Sequence, residues 1–259
     1  MGLALITGAS SGIGFELAKN FAQDGYDLVV AADDDEIHTA ATTLKSSGVE
    51  VEPVQVDLRK PKSVEKLYQQ ATAGGRQLDA AALNAGTGQG GRFVDSPLDA
   101  DLSIIDLNVR STVHLAKLIL TDMVRRDSGK VLFTSSVVSM MPGPYQSIYN
   151  ASKSFVQSFA EALQDELRDS GVTVTALLPG PVDTNFFNRS DQLNTLLGRI
   201  PKDDPAKVAA QGYQALVHGR GQVVASSLTS KLMGVSNRFL PDSVKSAANR
   251  LIAKPIKQH

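Results

Sequence analysis

The stretch Leu3-Ala4-Leu5-Ile6-Thr7-Gly8-Ala9-Ser10-Ser11-Gly12-Ile13-Gly14 decides the fold. Four apolar residues run into a threonine and a glycine-rich turn. Beyond it Phe15 to Asp24 continues as a helix, with Ile13, Leu17 and Phe21 at helical spacing. A strand that turns directly into a helix aims the helix's unsatisfied N–H groups, and its partial positive charge, past the strand end. A pyrophosphate suits such a turn, because its oxygens accept those N–H bonds only where the backbone approaches closely. Side chains at Gly8, Gly12 and Gly14 would obstruct that approach or the packing of the helix. Ser10, Ser11 and Ile13 complete the candidate contacts of the turn. A glycine triplet alone is equally a tight turn without a ligand, and its place between strand and helix favours the ligand.

Outward from this turn, short apolar runs recur at Leu28–Ala31, Val49–Val56, Leu78–Leu83, Val131–Phe133, Val172–Leu178 and Val223–Ala225, separated by stretches of helical periodicity. With Leu3–Ile6 they make seven expected strands. Alternation of this kind implies right-handed βαβ units and a parallel sheet with helices on both faces, which binds ligands beyond the carboxyl ends of its strands. The 259 residues, 42% of them hydrophobic, suit one large α/β domain with a substantial core. The weakest boundary lies near Ser226, giving a unit of 1–226 and an extension of 227–259.

Charge and composition narrow the function. Lysine and arginine number 26 against 27 acidic residues, so no basic field gathers nucleic acid. Cysteine is absent, which removes disulfides and thiolate chemistry and suits a cytoplasmic setting. The N-terminus carries no pattern of a signal peptide, and no apolar run is long enough to span a membrane. His38, His114, His218 and His259 lack mutual ligand spacing, so no metal is expected.

Tyr149 and Lys153 stand four apart on an expected helix, so they share a face. A free tyrosine titrates near about 10, too high for efficient proton transfer at neutrality, and a fixed ammonium beside it favours the phenolate. Such a pair is common by chance. Ser136, just past an expected strand end, adds a hydroxyl placed to orient a substrate oxygen beside the tyrosine.

Together these residues resemble the short-chain dehydrogenase/reductase family in its single-domain, Rossmann-type form, over residues 3 to about 225. Thr7-Gly8-x-x-x-Gly12-x-Gly14 looks like its cofactor turn, Asn84-Ala85-Gly86 like its fourth-strand motif, and Tyr149-x-x-x-Lys153 like its catalytic pair. Asn108, Ser136, Tyr149 and Lys153 fall where the family's catalytic tetrad does. The resemblance implies hydride transfer between a nicotinamide coenzyme and an alcohol or carbonyl compound. Tyr149 would be the proton donor and acceptor, Ser136 would hold the reacting oxygen, and Lys153 would bond the nicotinamide ribose. Asn108 would position a water. It implies further that Asp57 and Leu58 meet the adenine, and that Pro179, Gly180, Val182 and Thr184 meet the nicotinamide end. Asn108 as a helix-interior residue, Asp57 as a cap and Ser136 as a turn residue are the competing assignments.

Asp33-Asp34-Asp35-Glu36 follows the second strand, where the adenine ribose should lie. Carboxylates there favour NAD. A 2′-phosphate would meet four negative charges without a basic partner, and Ser10-Ser11 stands where NADP-preferring relatives often place a basic residue. The commonest NAD pattern of the family has its acidic residue one position earlier, at Ala32, so NADP stays an alternative, as does a purely capping role for Asp33–Asp35.

The resemblance implies a substrate wall after Ser136 and after Pro179-Gly180, here Val137, Val138, Met140, Met141, Pro142 and Tyr145, then Phe186, Phe187, Leu193 and Leu197, which suits an apolar alcohol, ketone or aldehyde, with ordinary core packing as the alternative. Asn185 to Arg199 reads as a lid. A long helix from Asp101 to Arg126 carries apolar residues on more than one stripe, which invites a partner, and the family resemblance implies that it and the Tyr149 helix pair across a two-fold axis in a homodimer or homotetramer. After Ala225 two amphipathic helices are expected; from Leu228 on, six basic residues face one aspartate, and packing is favoured over membrane contact. A non-catalytic dinucleotide sensor and a same-fold epimerase or dehydratase are the competing functions. The complete Asn108, Ser136, Tyr149 and Lys153 set weighs against the sensor.

Overall fold

The computed structural model describes residues 2–184 and 202–225, together with Thr195, Arg250, Ala253 and Lys254. Among them the chain runs β1 (Leu3–Thr7), α1 (Gly12–Gln23), β2 (Asp27–Ala32), α2 (Glu36–Lys45), β3 (Val51–Gln55), α3 (Pro61–Ala71), β4 (Ala80–Leu83) and α4 (Leu98–Ile105). It continues through α5 (Ser111–Arg125), β5 (Gly129–Thr134), α6 (Ser147–Glu166), β6 (Val172–Pro179), α7 (Pro205–Val217) and β7 (Gln222–Ala225). Every strand lies within two residues of where the apolar runs place it.

All strand pairs are parallel, in the order β3-β2-β1-β4-β5-β6-β7. The order reverses between β1 and β4, where the chain leaves to opposite sides and a crevice opens at the strand ends. Along β1 all five residues are buried, and alternate side chains enter opposite layers. Leu3 and Leu5 join Leu67 of α3, Ile119 of α5 and Val156 of α6. Ala4 and Ile6 join Leu17 and Phe21 of α1, Ile37 of α2 and Leu216 of α7. This burial on both faces explains why the strands read as continuous apolar runs with no polar alternation.

The single helix expected over 101–126 begins earlier, at Leu98, and is interrupted. Between α4 and α5 the residues Asp106–Arg110 form a π-helical turn. Its middle residue, Asn108, is buried and bonds through its side chain to the backbone of Thr87, which holds the widened turn against the loop after β4. No helix among the described residues is long and apolar enough to cross a membrane. The extension beyond Ser226 expected to be helical, and with it the proposed boundary, lies almost wholly outside the described residues.

Phe21 locks α1 to α7. Its ring meets Tyr213 edge-on at 4.8 Å and Tyr26 at 5.3 Å, and Tyr213 donates to Asp24 at 2.6 Å. Because Phe21 is fully buried, Phe21→Ala should cost about 3–5 kcal/mol of stability. In urea the midpoint should fall at unchanged slope; a loss below about 1 kcal/mol would mean that the two helices are held by other contacts.

Candidate active site

Three strand ends are tied together at the crevice. Thr7, the last residue of β1, accepts at Oγ1 from the N–H groups of Asn84 and Ala85, both at 3.0 Å. Asn84 returns its side-chain amide to the carbonyls of Thr7 (3.2 Å) and Gly8 (3.4 Å), while Thr134 of β5 donates to its Oδ1 at 3.1 Å. Over this knot the chain turns at Gly8, with φ of +66°, and enters α1 at Gly12, with φ of +58°. A methyl carbon on Gly14 would lie 2.0 Å from the Gly8 carbonyl oxygen, and one on Gly8 would lie 3.0 Å from the Ala85 Cα. Ser11, the N-cap of α1, makes no side-chain cap bond, so it does not occupy the first-turn N–H groups.

The far wall comes from β6. Gly180 donates to the Ala225 carbonyl at 3.4 Å, Val182 bridges in parallel to Asp203, and the Thr184 methyl faces Gly12. The glycine turn thus touches both Asn84-Ala85-Gly86, through Gly8, and the Pro179–Thr184 segment, through Gly12. Three members of the expected contact set carry their side chains elsewhere. Leu58 and Val182 are buried, one in each apolar layer, and Ile13 packs against the α1 layer. What they offer a ligand is backbone.

The polar group sits at the carboxyl ends of β4 and β5. Tyr149 and Lys153 share one face of α6, and Ser136 opens a short 3-10 turn at Val137–Met140. Ser136 hydrogen-bonds the Tyr149 side chain. Its remaining contacts, with the Pro179 carbonyl and the Val138 N–H, are long at 3.4 Å, so the hydroxyl is not consumed by its turn. Lys153 donates to the Thr134 carbonyl at 2.8 Å, and its Nζ lies 6.0 Å from the Tyr149 ring centre. A carbon added to Gly86 would stand 3.2 Å from that Nζ. Asn108 enters at one remove. Its Nδ2 donates to Ser152 at 2.9 Å, and Ser152 donates to the Tyr149 carbonyl at 2.7 Å.

Burial dominates the electrostatics. It pushes the Tyr149 hydroxyl up to about 12, opposed by the Ser136 hydrogen bond, and it lowers the Lys153 ammonium to about 8. The expectation that the ammonium pulls the tyrosine down is therefore not what the protein alone displays. Lys153 is turned toward Thr134, and the same dry surroundings penalise both charged forms.

The adenosine corner also departs from the sequence reading. Asp33 does have a basic neighbour: Arg59 Nη1 lies 3.0 Å from Asp33 Oδ2 and 2.9 Å from Asp57 Oδ1. The arginine sits four residues beyond β3, and the chain folds back over the parallel ends of β2 and β3. The N-cap of α2 is Asp35, with no side-chain cap bond, and Asp34 accepts from Ser10 at 3.0 Å. Ala32, the commoner acidic position, is buried.

Residues 2–194 match the family model described as short chain dehydrogenase. The chain belongs to the short-chain dehydrogenase family. It is accordingly an oxidoreductase. A short chain dehydrogenase of Pseudocercospora fijiensis is 34% identical over 195 residues, covering 74% of this chain and 63% of that one. A solved short chain dehydrogenase/reductase of Burkholderia phymatum in complex with NAD superposes with a TM-score of 0.84 at 25% identity, covering 99% of this chain and 98% of the other. A short-chain dehydrogenase of Sphingobium yanoikuyae in complex with NADPH gives 0.80 at 28% identity, covering 92% and 93%.

In this short-chain dehydrogenase the expected substrate wall is divided. Met140, Met141 and Pro142 line a cavity of about 530 Å³ with Ser139, Asn150 and Ser154, whose lining does not include Ser136, Tyr149 or Lys153, and Met140 also packs against the core. Val137 instead belongs to the core, and Val138 packs against it. Tyr145 has a φ of +66°, a conformation rare outside glycine, and its carbonyl accepts from Gly91 at 2.9 Å, tying the two loops that flank the cleft. Phe186, Phe187, Leu193, Leu197 and the expected lid from Asn185 to Arg199, Thr195 apart, lie outside the described residues. Sequence reading missed Thr87, Thr134, Ser135, Ser152 and Arg59. Each acts through a partner far away in the chain, such as Ser135, which donates to the Lys153 carbonyl across 18 positions at 2.7 Å.

Proposed function

We propose that this dehydrogenase interconverts a secondary alcohol and a ketone, or an alcohol and an aldehyde, on an apolar small molecule, with NAD(H) as coenzyme and Tyr149 as general acid and base. The observation that carries the reading is the half-buried Tyr149, its hydroxyl bonded to Ser136 and one helical turn from Lys153, at the strand ends beside the glycine turn. The residues present fit a dinucleotide. Gly8 and Gly14 let the turn pack tightly against Ala85 and on itself, the first-turn N–H groups of α1 suit a pyrophosphate, and Lys153 supplies a buried cation.

The coenzyme, when bound, supplies the hydride for reduction and receives it in oxidation. Tyr149 gives its phenolic proton to the carbonyl oxygen as the carbon is reduced, and the phenolate takes the proton of the alcohol in reverse. Ser136 donates to the reacting oxygen and fixes its distance from Tyr149. Lys153 stabilises the phenolate and reaches the nicotinamide ribose. Asn108 acts through Ser152, positioning the turn that carries Tyr149. Asp57, and the backbone of Asn84, Ala85 and Gly86, complete the lining on the coenzyme side.

NAD is favoured because Asp33 is placed to accept from ribose hydroxyls, with Asp34, Asp35 and Glu36 beside it. An apolar substrate is supported by the apolar residues Val138, Met140 and Met141 that closely follow Ser136 in the chain. A second copy of the chain is the partner that suits the exposed apolar row Phe93, Val94, Leu98, Leu102 and Ile105. Phe155 of α6, on a helix that packs against α4, extends it.

Three measurements test these proposals. Tyr149→Phe should lower kcat by about 10²- to 10⁴-fold with apolar alcohols or carbonyls, followed by coenzyme absorbance; wild-type turnover in that variant sinks the assignment. The reduction rate should fall as pH rises through about 8, because Lys153, lowered by burial, keeps its ammonium below that value and loses it above. A profile flat to pH 10 excludes that role. Light scattering should give a dimer or tetramer, and charges at Leu98 and Leu102 should shift it toward monomer with an unchanged circular dichroism spectrum. A wild-type monomer at micromolar concentration contradicts the pairing.

A further inference from the structure

The acidic corner at the end of β2 holds a cation whose bonding is incomplete. Arg59 meets Asp33 and Asp57 through the same nitrogen, Nη1, and Lys60 adds only a distant contact of 3.9 Å to Asp57. Its Nε is buried and has no hydrogen-bond partner. A guanidinium presents five donors in a fixed fork, so two carboxylates crowding one nitrogen leave most of that capacity unspent. The side chains of Arg59 and Asp33 are 31% and 43% exposed. Water therefore screens their attraction, and the pair is readily exchanged for a stronger acceptor.

Its position is specific. Asp33 directly follows β2, Ser10 of the glycine turn binds Asp34, and Asp57 follows β3, so Arg59 closes the same edge of the cleft that the adenosine ribose would reach. Resting on the dinucleotide reading above, we infer that Arg59 is the residue through which this site admits a 2′-phosphorylated coenzyme. With NAD, Arg59 stays on Asp33 and Asp57 and leaves Asp33 free to accept from the 2′-hydroxyl with its other oxygen. With NADP, the guanidinium turns from Asp33 to the 2′-phosphate, a planar fork meeting tetrahedral oxygens. Asp33 then sets the preference and Arg59 sets how much of NADP binding survives it. Selectivity is thereby graded, where a corner of four carboxylates alone would make it absolute.

The test is equilibrium binding of NAD⁺ and NADP⁺ to the full chain by calorimetry, for wild type, Arg59→Gln, Arg59→Lys and Asp33→Asn. Arg59→Gln should weaken NADP⁺ by at least about tenfold and NAD⁺ by less than about threefold, the scale expected for removing one charge-assisted hydrogen bond. It should also flatten the salt dependence of NADP⁺ binding, which a merely structural staple would leave untouched. Arg59→Lys, which keeps the charge, should retain NADP⁺ binding within about fivefold, and Asp33→Asn should strengthen it. Equal weakening of both coenzymes in Arg59→Gln, or no change in their ratio, overturns the inference. A wild type that binds neither coenzyme overturns the dinucleotide reading and this inference with it, a pattern distinct from loss of NADP⁺ alone.

Discussion

A parallel sheet leaves every strand ending on the same edge with backbone groups unpaired, and in this protein Asn84 resolves that problem at the point where the strand order reverses. One side-chain amide satisfies the carbonyls of Thr7 and Gly8 and accepts from Thr134, so β1, β4 and β5 end at a common level. The glycine turn depends on that level, because Gly8 rests against Ala85 and Gly14 rests against Gly8. Remove the small residues and α1 cannot sit close enough for its first turn to face the crevice. Lose the amide and buried carbonyls are left without donors, which is the costlier defect in a dry interior.

The reacting end of the cleft is dry by the same construction. Lys153 is only 5% exposed and Ser135 only 2%, enclosed by the ends of β5 and β6 and by α6. Burial raises the tyrosine and lowers the lysine, so each residue alone is poorly suited to carry charge. Neither shift is offset by the other residue: Ser136 alone opposes the rise of the tyrosine, and Lys153 spends a hydrogen bond on the Thr134 carbonyl. The serine hydroxyls at 135, 136 and 152 hold this arrangement from three directions, through the Lys153 carbonyl, the Tyr149 hydroxyl and the Tyr149 carbonyl.

What sequence conveys about such a site follows from how local each determinant is. The seven strands were legible because burial on both faces writes continuous apolar runs, and the turn was legible because Gly8, Gly12 and Gly14 lie within one loop. Tyr149 and Lys153 were legible because a helix repeats every few residues. Arg59 was not, since its partner Asp33 is 26 positions away and only the register of β2 with β3 brings them together. The π-helical turn at Asn108 escaped for a similar reason. An apolar periodicity over 101–126 predicts one helix, and the departure is imposed by Thr87, 21 positions upstream. Val137 shows the converse error: an apolar residue beside a catalytic-type serine reads as a substrate wall and belongs to the core.

The two ends of the cleft therefore obey different electrostatics. At the tyrosine end charges are few, buried and individually costly, so any substitution there changes a pKa, a hydrogen bond and the packing at once. At the adenosine end Asp33, Arg59 and Asp57 are half-exposed and mutually compensating, so water absorbs most of the consequence of exchanging one partner for another. Exchanging one of these half-exposed pairs leaves the sheet intact, because they contribute little to holding β2 and β3 in register. The backbone ladder from Leu28↔Val51 to Ala32↔Gln55 does that independently of them.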